Sequence, residues 1–552
     1  MTRILTLALA CFLALAELPG CSGPDEPDAS TTAVTPAFDG TVGSLCELTG
    51  YSAIRVQGFA LVVGLPQTGS AECPTPVREH LTGHLRKLDR QNRLPARYAG
   101  LNADRIIADQ STAVVLVQGL VPAGAPKGEK FDLEVAALDD TQTTSLQGGS
   151  LLPIELRLIA AGQGTRPRAG RPTANGEGPL FVNPFPICVR GDRQQVDPRR
   201  GVVLGGGTSL YDREIRLVLL RPDFRTAQQI QNRINTRFQS PDDPWVAQAR
   251  REYVLLRVPE RYRDRYDHFI DLVWALYLRS TPGYIETQLR GLNKSAAEPG
   301  ADYGAIALAW EAIGKSALPF LENWYRDPTQ GEVAYHAART ALALEDHRAV
   351  EALTYIALQD GHPCQLQAAS TLNSVSKDPQ VRMTLHRLLA HDNYRIRILA
   401  YEGLRRIKDA SVSCYVEASG FRLDVVRAPG RPIVSVWATK EPRLALFGEE
   451  VALPKDLFYC TADEAITLNA RPDDELVTVT RRLPGSKRLV TGTCSRSLAD
   501  LIHLLASPNP DHAQTVPGMS FSQITGLVHD LCDKAIIDAH FQLHRLPDDL
   551  VQ

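Results

Sequence analysis

The feature that most constrains the fold is a helical repeat in the second half of the chain. Within residues 300–412, alanine- and leucine-rich helical periodicity is broken by short polar segments at a regular interval. Leu342, Leu372 and Leu404 hold equivalent positions about 30 residues apart, with two helices in each unit. Such units bury their apolar faces only by stacking, so the pattern predicts a HEAT-like α-solenoid. Its role is interpreted either as binding another protein or as bracing the molecule.

Both flanks of this repeat follow β-type patterns, so the chain is predicted to be a multidomain α+β protein. Its 552 residues, 44% of them hydrophobic, provide enough length for several cores. Residues 44–290 and 413–552 contain alternating apolar segments that are typical of strands, and the second of these regions ends in helices. We therefore predict β-rich N-terminal and C-terminal parts with the solenoid between them.

Glycines surround the most informative strand of the N-terminal part. In GFALVVGLPQTGS, Gly58, Gly64 and Gly69 bound an apolar, β-prone run, and Gly148 and Gly149 repeat the theme in SLQGGSLL. Glycine permits positive φ or close backbone approach, so these residues predict tight strands and turns. A phosphate cradle is the alternative, but neither the lysine-containing loop nor the Gly-x-Gly-x-x-Gly turn follows these glycines.

A third segment, REIRLVLLRPDFRTAQQIQNRIN, predicts a strand that leads into a helix. Pro222 and Asp223 lie between the two elements, and Asp223 is predicted to cap the helix N-terminus. Upstream, the glycine run 205–207 lacks the lysine of a phosphate loop and is predicted to be a turn before the strand.

The order of these segments resembles that of the bacterial flagellar P-ring protein family, the flagellar basal-body P-ring. The family's Gly-aromatic-Gly-Leu-Val-Val-Gly-Leu run and Gly-Thr-Gly turn are similar to the first segment, with Ala60 in place of the second glycine. The stretch STAVVLVQGLVPAGAPKGEKFDLEVAAL, then SLQGGSLL and the third segment, follow in the family's order. Near the end, Ser497–Ile502 and Ile524–Leu543 resemble the family's closing helices and last strand.

This resemblance implies a structural protein without enzymatic activity, whose copies form a homo-oligomeric ring that acts as a bushing for the flagellar rod. It implies the rod, the outer-membrane ring proteins and peptidoglycan as partners in the periplasm. The helical array departs from the family pattern. A periplasmic lipoprotein scaffold that uses the array to bind another envelope protein is therefore a second hypothesis, and a cell-wall-acting enzyme is a third with poor support.

The N-terminus predicts export and anchoring. Residues 1–21 hold one basic residue, a short apolar run and the ending Leu-Pro-Gly-Cys, which resembles a lipoprotein signal peptide. Cys21 is the predicted lipidation site, and its acyl chains would anchor the protein to the membrane, which we expect to be the outer membrane. Residues 22–43 are rich in Pro, Asp, Ser, Thr and Gly and are predicted to form a flexible tether.

Composition argues against several functions. A net charge of −3 and the lack of basic and aromatic interleaving predict no nucleic-acid partner. The sequence has no closely spaced Cys/His quartet, haem motif, Gly-x-Ser-x-Gly elbow or His-Glu-x-x-His helix, so no cofactor, metal or catalytic residue is predicted. Of the ten cysteines, eight lie beyond Cys11 and Cys21. An oxidising compartment would allow them up to four disulfides.

Overall fold

The computed structural model describes residues 40–158, 171–185, 188–189, 192–193, 197–483, 488–508 and 518–544. The predicted signal peptide, its Cys21 and most of the predicted tether lie outside these residues. The tether is predicted to reach residue 43, but Val42 is fully buried and Thr41 forms a β-bridge with Tyr277. The folded body therefore begins before that boundary.

The fold is mixed α+β, which confirms the predicted class: β-rich N-terminal and C-terminal parts enclose a central run of many helices. The N-terminal elements in chain order are β1 (Cys46–Thr49), β2 (Ile54–Val63), α1 (Thr75–Arg90), α2 (Ala103–Ile107), β3 (Thr112–Val121), β4 (Lys130–Ala137), β5 (Ser150–Leu158), β6 (Ala174–Pro179), β7 (Cys188–Val189), β8 (Asp192–Arg193), β9 (Arg200–Ser209), β10 (Ile215–Leu219), α3 (Phe224–Phe238), β11 (Ala247–Ala249), β12 (Tyr253–Leu256) and α4 (Tyr266–Trp274).

Six of these strands close a barrel in the order β2-β3-β4-β9-β6-β5. Ala60 and Val62 of β2 belong to the apolar core inside the barrel. Leu61 and Val63, which alternate with them, pack on the other face against α1 and α2. Strand β2 is thus covered on both faces, and this double burial explains its continuous apolar run.

A four-stranded antiparallel sheet has the order β1-β10-β12-β11, so its strands come from both sides of the barrel in the sequence. Helix α3 packs on this sheet through residues at helical spacing, and α4 completes the same core. The buried residues of α3 are Ala227, Ile230, Ile234 and Phe238.

The central helices form two layers. They are α5 (Pro282–Ala296), α6 (Tyr303–Ile313), α7 (Leu318–Tyr325), α8 (Glu332–Ala343), α9 (Ala349–Leu358), α10 (Gln365–Leu372), α11 (Pro379–Leu389) and α12 (Tyr394–Arg406). Helices α6, α8, α10 and α12 contact one another in succession, and α7, α9 and α11 form the second layer. One apolar core runs through both layers and already includes α5. The helical packing therefore begins before residue 300.

The C-terminal part contains two sheets and two helices. Its elements are β13 (Val412–Val416), β14 (Arg422–Val426), β15 (Ile433–Trp437), β16 (Arg443–Phe447), β17 (Leu457–Cys460), β18 (Ile466–Ala470), β19 (Val477–Arg482), β20 (Leu489–Cys494), α13 (Leu498–Ala506), α14 (Phe521–Asp533) and β21 (His540–His544). A mixed five-stranded sheet has the order β13-β14-β16-β15-β21, and an antiparallel sheet has the order β17-β18-β19-β20.

Strand β15 differs from its sequence pattern. The alternation in IVSVWA is typical of a strand with one exposed face, but the first four residues of β15 are all buried. One face of the five-stranded sheet joins the core of the central helices and the other joins the core around α13 and α14. Ser435 tolerates this burial because its hydroxyl lies 2.9 Å from Nε2 of His544.

The cysteines whose side chains the structure describes are unpaired. The seven whose side chains the structure describes are free thiols: Cys46, Cys73, Cys364, Cys414, Cys460, Cys494 and Cys532. Cys188 lies in β7, and its side chain is outside the description. Within the described ranges, no helix is long and apolar enough to cross a bilayer.

Candidate functional site

Two of the predicted glycines allow close packing in the barrel. On β2, a Cβ at Gly58 would lie only 2.8 Å from Cδ1 of Ile154 on the neighbouring strand β5. After β2, a Cβ at Gly69 would overlap the carbonyl group of Thr112, which is backbone and cannot rotate away. Gly69 therefore requires glycine, whereas a larger residue at Gly58 would force the Ile154 side chain to shift.

The other predicted glycines serve turns and packing where β2 ends and β5 begins. Gly64 and Gly148 have φ of 81° and 78°, a left-handed conformation that favours glycine. A Cβ at Gly149 would lie 2.5 Å from Cγ1 of Val62. The two motifs GFALVVG and SLQGGSLL therefore meet in space, although about 85 residues separate them in the sequence.

Asp223 lies at the start of α3, directly after Pro222. Its carboxylate accepts hydrogen bonds from the backbone N–H of Thr226 at 2.9 Å and of Arg225 at 3.3 Å. It also accepts one from the Thr226 hydroxyl at 2.6 Å. These bonds stabilise the charged form and lower the pKa of Asp223. The chemistry of this residue is that of a helix N-cap.

The predicted turn at residues 205–207 is wrong, because these glycines lie inside β9 of the barrel. Gly205 has a φ of 61°, and its N–H donates to Oδ1 of Asp132 at 2.6 Å. The pairing of β4 with β9 shifts register at this point, between Phe131 and Leu133. The glycines accommodate an irregular strand rather than a turn: a Cβ at Gly207 would meet the ring of Phe131, and one at Gly205 would meet the backbone of Lys440.

A shallow groove of about 410 Å³ lies beside α3 and is lined by Gln231, Asn235, Trp245, Ala247 and Gln248. The amide of Asn235 accepts from the N–H of Val246 and of Ala247 and donates to the Ala247 carbonyl. The side-chain amide of Asn235 therefore holds the neighbouring backbone in place. In the described part of the chain, no three His, Cys, Asp or Glu side chains are grouped so that they could hold a metal.

Three sets of polar and aromatic contacts lie where the parts of the molecule meet. At the first junction, buried Glu311 of α6 faces the N-terminal part. Its Oε1 lies 2.8 Å from Nε2 of His268 on α4, and its carbonyl accepts from Nη2 of Arg237 on α3 at 3.0 Å. These contacts tie the first central helices to the four-stranded sheet.

A second junction joins α12 to the five-stranded sheet. Asp424 of β14 is fully buried and accepts from the Tyr401 hydroxyl and from Nε of Arg405, the latter at 3.0 Å. Nearby, Arg443 of β16 pairs with Glu402 of α12. The guanidinium of Arg443 also lies 4.0 Å from the centre of the Trp437 ring. We call this group the clasp: Tyr401, Glu402, Arg405, Asp424, Trp437 and Arg443.

The third junction returns the C-terminal part to the barrel. Ser522 at the start of α14 donates a hydrogen bond to the carbonyl of Val182, which follows β6. The rings of Phe181 and Phe521 lie 5.6 Å apart. The described parts thus form a closed circuit from barrel to sheet, helices and C-terminal part, and back to the barrel.

Sequence reasoning did not find these junction residues. The available signal was a charged residue within an otherwise apolar element, such as Asp424 in RLDVV and Glu311 in AIALAWEAI. A buried charge needs a partner, but the sequence does not say which of many arginines or histidines supplies it.

The architecture and the packing role of its glycines define a class: mixed α+β proteins with a rigid N-terminal barrel and an α/β unit beside it. Residues 41–282 match the family model described as Flagellar P-ring protein. This match confirms the resemblance to the flagellar P-ring protein family over residues 41–282. The match ends where α5 begins, and the central helices are not named by it.

Curated relatives match a similar stretch. The flagellar P-ring protein of Aquifex aeolicus is 27% identical over 238 residues, 42% of this chain and 59% of the relative. That of Geobacter metallireducens is 26% identical over 243 residues, again 42% and 59%. That of Caulobacter vibrioides is 29% identical over 218 residues, 37% and 50%. The chain thus spans between half and three fifths of these relatives' length, and the resemblance of its C-terminal part stays a prediction.

Proposed function

We propose that the chain is a structural subunit of the bacterial flagellar basal body, a P-ring-like protein whose copies assemble around the rod in the periplasm. The observation that carries this proposal is the match of residues 41–282 to the P-ring family. These residues include the whole barrel and the sheet beside it. Because the relatives are matched over only part of their length, the ring, its partners and its location are proposals for this chain.

The geometry of the subunit supports a mechanical role. A closed ring of identical subunits requires the same rotation at every contact, and this requires a subunit that does not flex. Three polar and aromatic junctions hold the parts of this chain together. A subunit fixed in this way would form a ring whose inner wall keeps its shape as the rod turns, with peptidoglycan and the outer-membrane ring as neighbours.

A deletion strain tests the flagellar role directly. Motility is measured by swimming in soft agar, and basal bodies are purified and imaged from the deletion strain and from a strain with a tagged copy. We expect loss of swimming, loss of the periplasmic ring density, and recovery of both on complementation. Normal swimming with intact rings in the deletion strain would contradict the proposal.

The membrane anchor is a separate proposal, based on Cys21 and the residues before it. Attachment of more than one acyl chain to a cysteine gives stable membrane binding because each buried methylene contributes about 0.8 kcal/mol. Cys21→Ser is expected to move the protein from the membrane fraction to the soluble periplasmic fraction, with a tagged wild-type chain as control. Unchanged fractionation would exclude the anchor without affecting the ring.

An envelope scaffold is the second candidate, and the central helices favour it. Tyr355 of α9 and Met383 of α11 lie on the same helical layer and are 44% and 70% exposed. Exposed large apolar side chains on one layer suit contact with another protein. Replacing both with Lys is expected to abolish co-purification of one envelope protein while motility is unchanged. Loss of motility in this variant would assign the helical layer to the flagellar role.

A further inference from the structure

The five-stranded sheet has two open edges among the described residues. In the order β13-β14-β16-β15-β21, the outermost strands β13 and β21 each pair on one side only. An edge strand carries a row of N–H and C=O groups without backbone partners, which is a template for another extended chain. The chemistry of an edge therefore specifies its partner as a β-strand.

Neither edge carries the features that usually prevent pairing. The strand sequences are VSCYV for β13 and HFQLH for β21, without an acidic residue, a lysine, an arginine or a proline. Isolated edges are commonly protected by charged residues, prolines or bulges. Tyr415 and Val416 of β13 are 44% and 80% exposed. By contrast, edge strand β1 of the N-terminal sheet presents an exposed charge, Glu47.

Aromatic side-chain contacts also fix both edge strands in place. The ring of His544 on β21 stacks on Trp437 at 4.4 Å, and Phe541 lies 5.7 Å from Phe185. On β13, the ring of Tyr415 packs edge-on against His503 of α13 at 4.9 Å. A strand that is already fixed in its extended form loses little conformational entropy when it gains a partner.

We propose that these edges join neighbouring copies of this chain, with the β21 edge of one copy pairing with the β13 edge of the next. The two edges lie at opposite sides of one sheet, so each copy offers two different, complementary surfaces. Repetition of such a head-to-tail contact closes a ring when the rotation is right. The inference rests on the proposed function, and it assigns the subunit contact to the C-terminal part.

Cysteine cross-linking in cells tests the contact. Cys414 lies at the centre of β13 and is exposed, and Gln542→Cys supplies a thiol at the centre of β21. Cys460→Ser removes the other cysteine that is exposed among the side chains that the structure describes. Burial and the nearby Asp424 raise the pKa of Cys414 to about 11, so a copper–phenanthroline oxidant is used at alkaline pH.

Full-length protein with Gln542→Cys and Cys460→Ser is expected to give a ladder of covalent multimers on a non-reducing gel. The matched control with Cys460→Ser alone is expected to stay monomeric. A dimer in this control would mean that β13 pairs with β13, which overturns the proposed polarity. Failure of the double variant to give a ladder in cells would overturn the contact itself.

Charge substitution provides an independent measurement. Val416→Lys changes a side chain that is 80% exposed, and we expect it to lower the ladder yield at least tenfold through repulsion and poor pairing. Phe458→Lys on the neighbouring four-stranded sheet, where the side chain is 78% exposed, is the control and should leave the yield unchanged. The reverse result would place the contact on that other sheet and overturn the proposal.

The outcomes separate this inference from the proposed function. Basal bodies that contain the protein but give no cross-link between β13 and β21 would overturn the contact and leave the flagellar role intact. A protein that forms the ladder but is absent from purified basal bodies would overturn the flagellar role and leave the contact intact.

Discussion

Removing the charge of Asp424 is expected to weaken the attachment of the helices to the C-terminal sheet by about 3 kcal/mol. Asp424 has no exposed surface, and the side chain of its partner Arg405 is 17% exposed. Asn at position 424 keeps the size of the side chain but leaves the guanidinium without its buried counter-charge. Breaking a buried pair costs about 3–5 kcal/mol, and the lower end applies because Glu441 lies 3.9 Å from Arg405.

Hydrogen exchange measured by mass spectrometry is the suitable assay, because it reports local opening in a chain with several cores. Since about 1.4 kcal/mol corresponds to a tenfold change, Asp424→Asn should lower exchange protection in α12 and β14 by roughly 100-fold. Protection in the barrel should stay unchanged, because the hydrogen bonds and ion pairs of the clasp join α12 to β14 and β16.

Glu441→Gln is the matched control because Glu441 pairs with the same arginine but its side chain is 65% exposed. Its effect should stay below about 1 kcal/mol. The double variant Asp424→Asn with Arg405→Met should recover part of the lost protection, because it removes the orphaned charge. Equal effects of Asp424→Asn and Glu441→Gln would refute the claim that burial gives this pair its strength.

Three further outcomes are expected. Gly69→Ala should lower the thermal midpoint because its Cβ meets backbone. Gly83→Ala, in an exposed part of α1 with open space around it, should be neutral or stabilise by about 0.5–1 kcal/mol. Equal thermal midpoints for the two variants would contradict the packing argument. Burial lowers the pKa of His336 from 6.5 to about 4, so the unfolded state binds its proton more tightly. The contribution of neutral His336 to the free energy of unfolding should therefore be fully present above pH 6.5 and be lost as the pH falls towards 4, and His336→Phe should flatten this part of the profile. Maleimide should label exposed Cys460 in the native protein, but Cys46, where burial raises the pKa to about 12, only after unfolding.

Local patterns predicted the local elements well. The apolar run in GFALVVG specifies a buried strand because every second side chain enters the barrel and the others meet a helix. The helical spacing of Ala227, Ile230 and Ile234 specifies one buried face of α3. Glycine runs were less reliable: residues 205–207 have the composition of a turn, yet the curvature of a closed barrel places them inside a strand.

Contacts between distant segments could not be predicted from a single sequence. Ser522 and Val182 are 340 positions apart, and neither belongs to a recognisable motif. The clasp likewise depends on which arginine reaches Asp424, and this follows from the stacking of α12 on the sheet. Local periodicity defines the faces of helices and strands, whereas the pairing of those faces is decided by shape and charge across the whole molecule.

Because the C-terminal part packs back on the barrel, the length of the central helical stack is fixed. In an open solenoid each repeat contacts only its neighbours, so a repeat can be added without disturbing distant contacts. Here an extra pair of helices would advance the stack by about 10 Å and separate Ser522 from the Val182 carbonyl. The number of helices is therefore set by the gap that the rest of the fold leaves between α4 and β13.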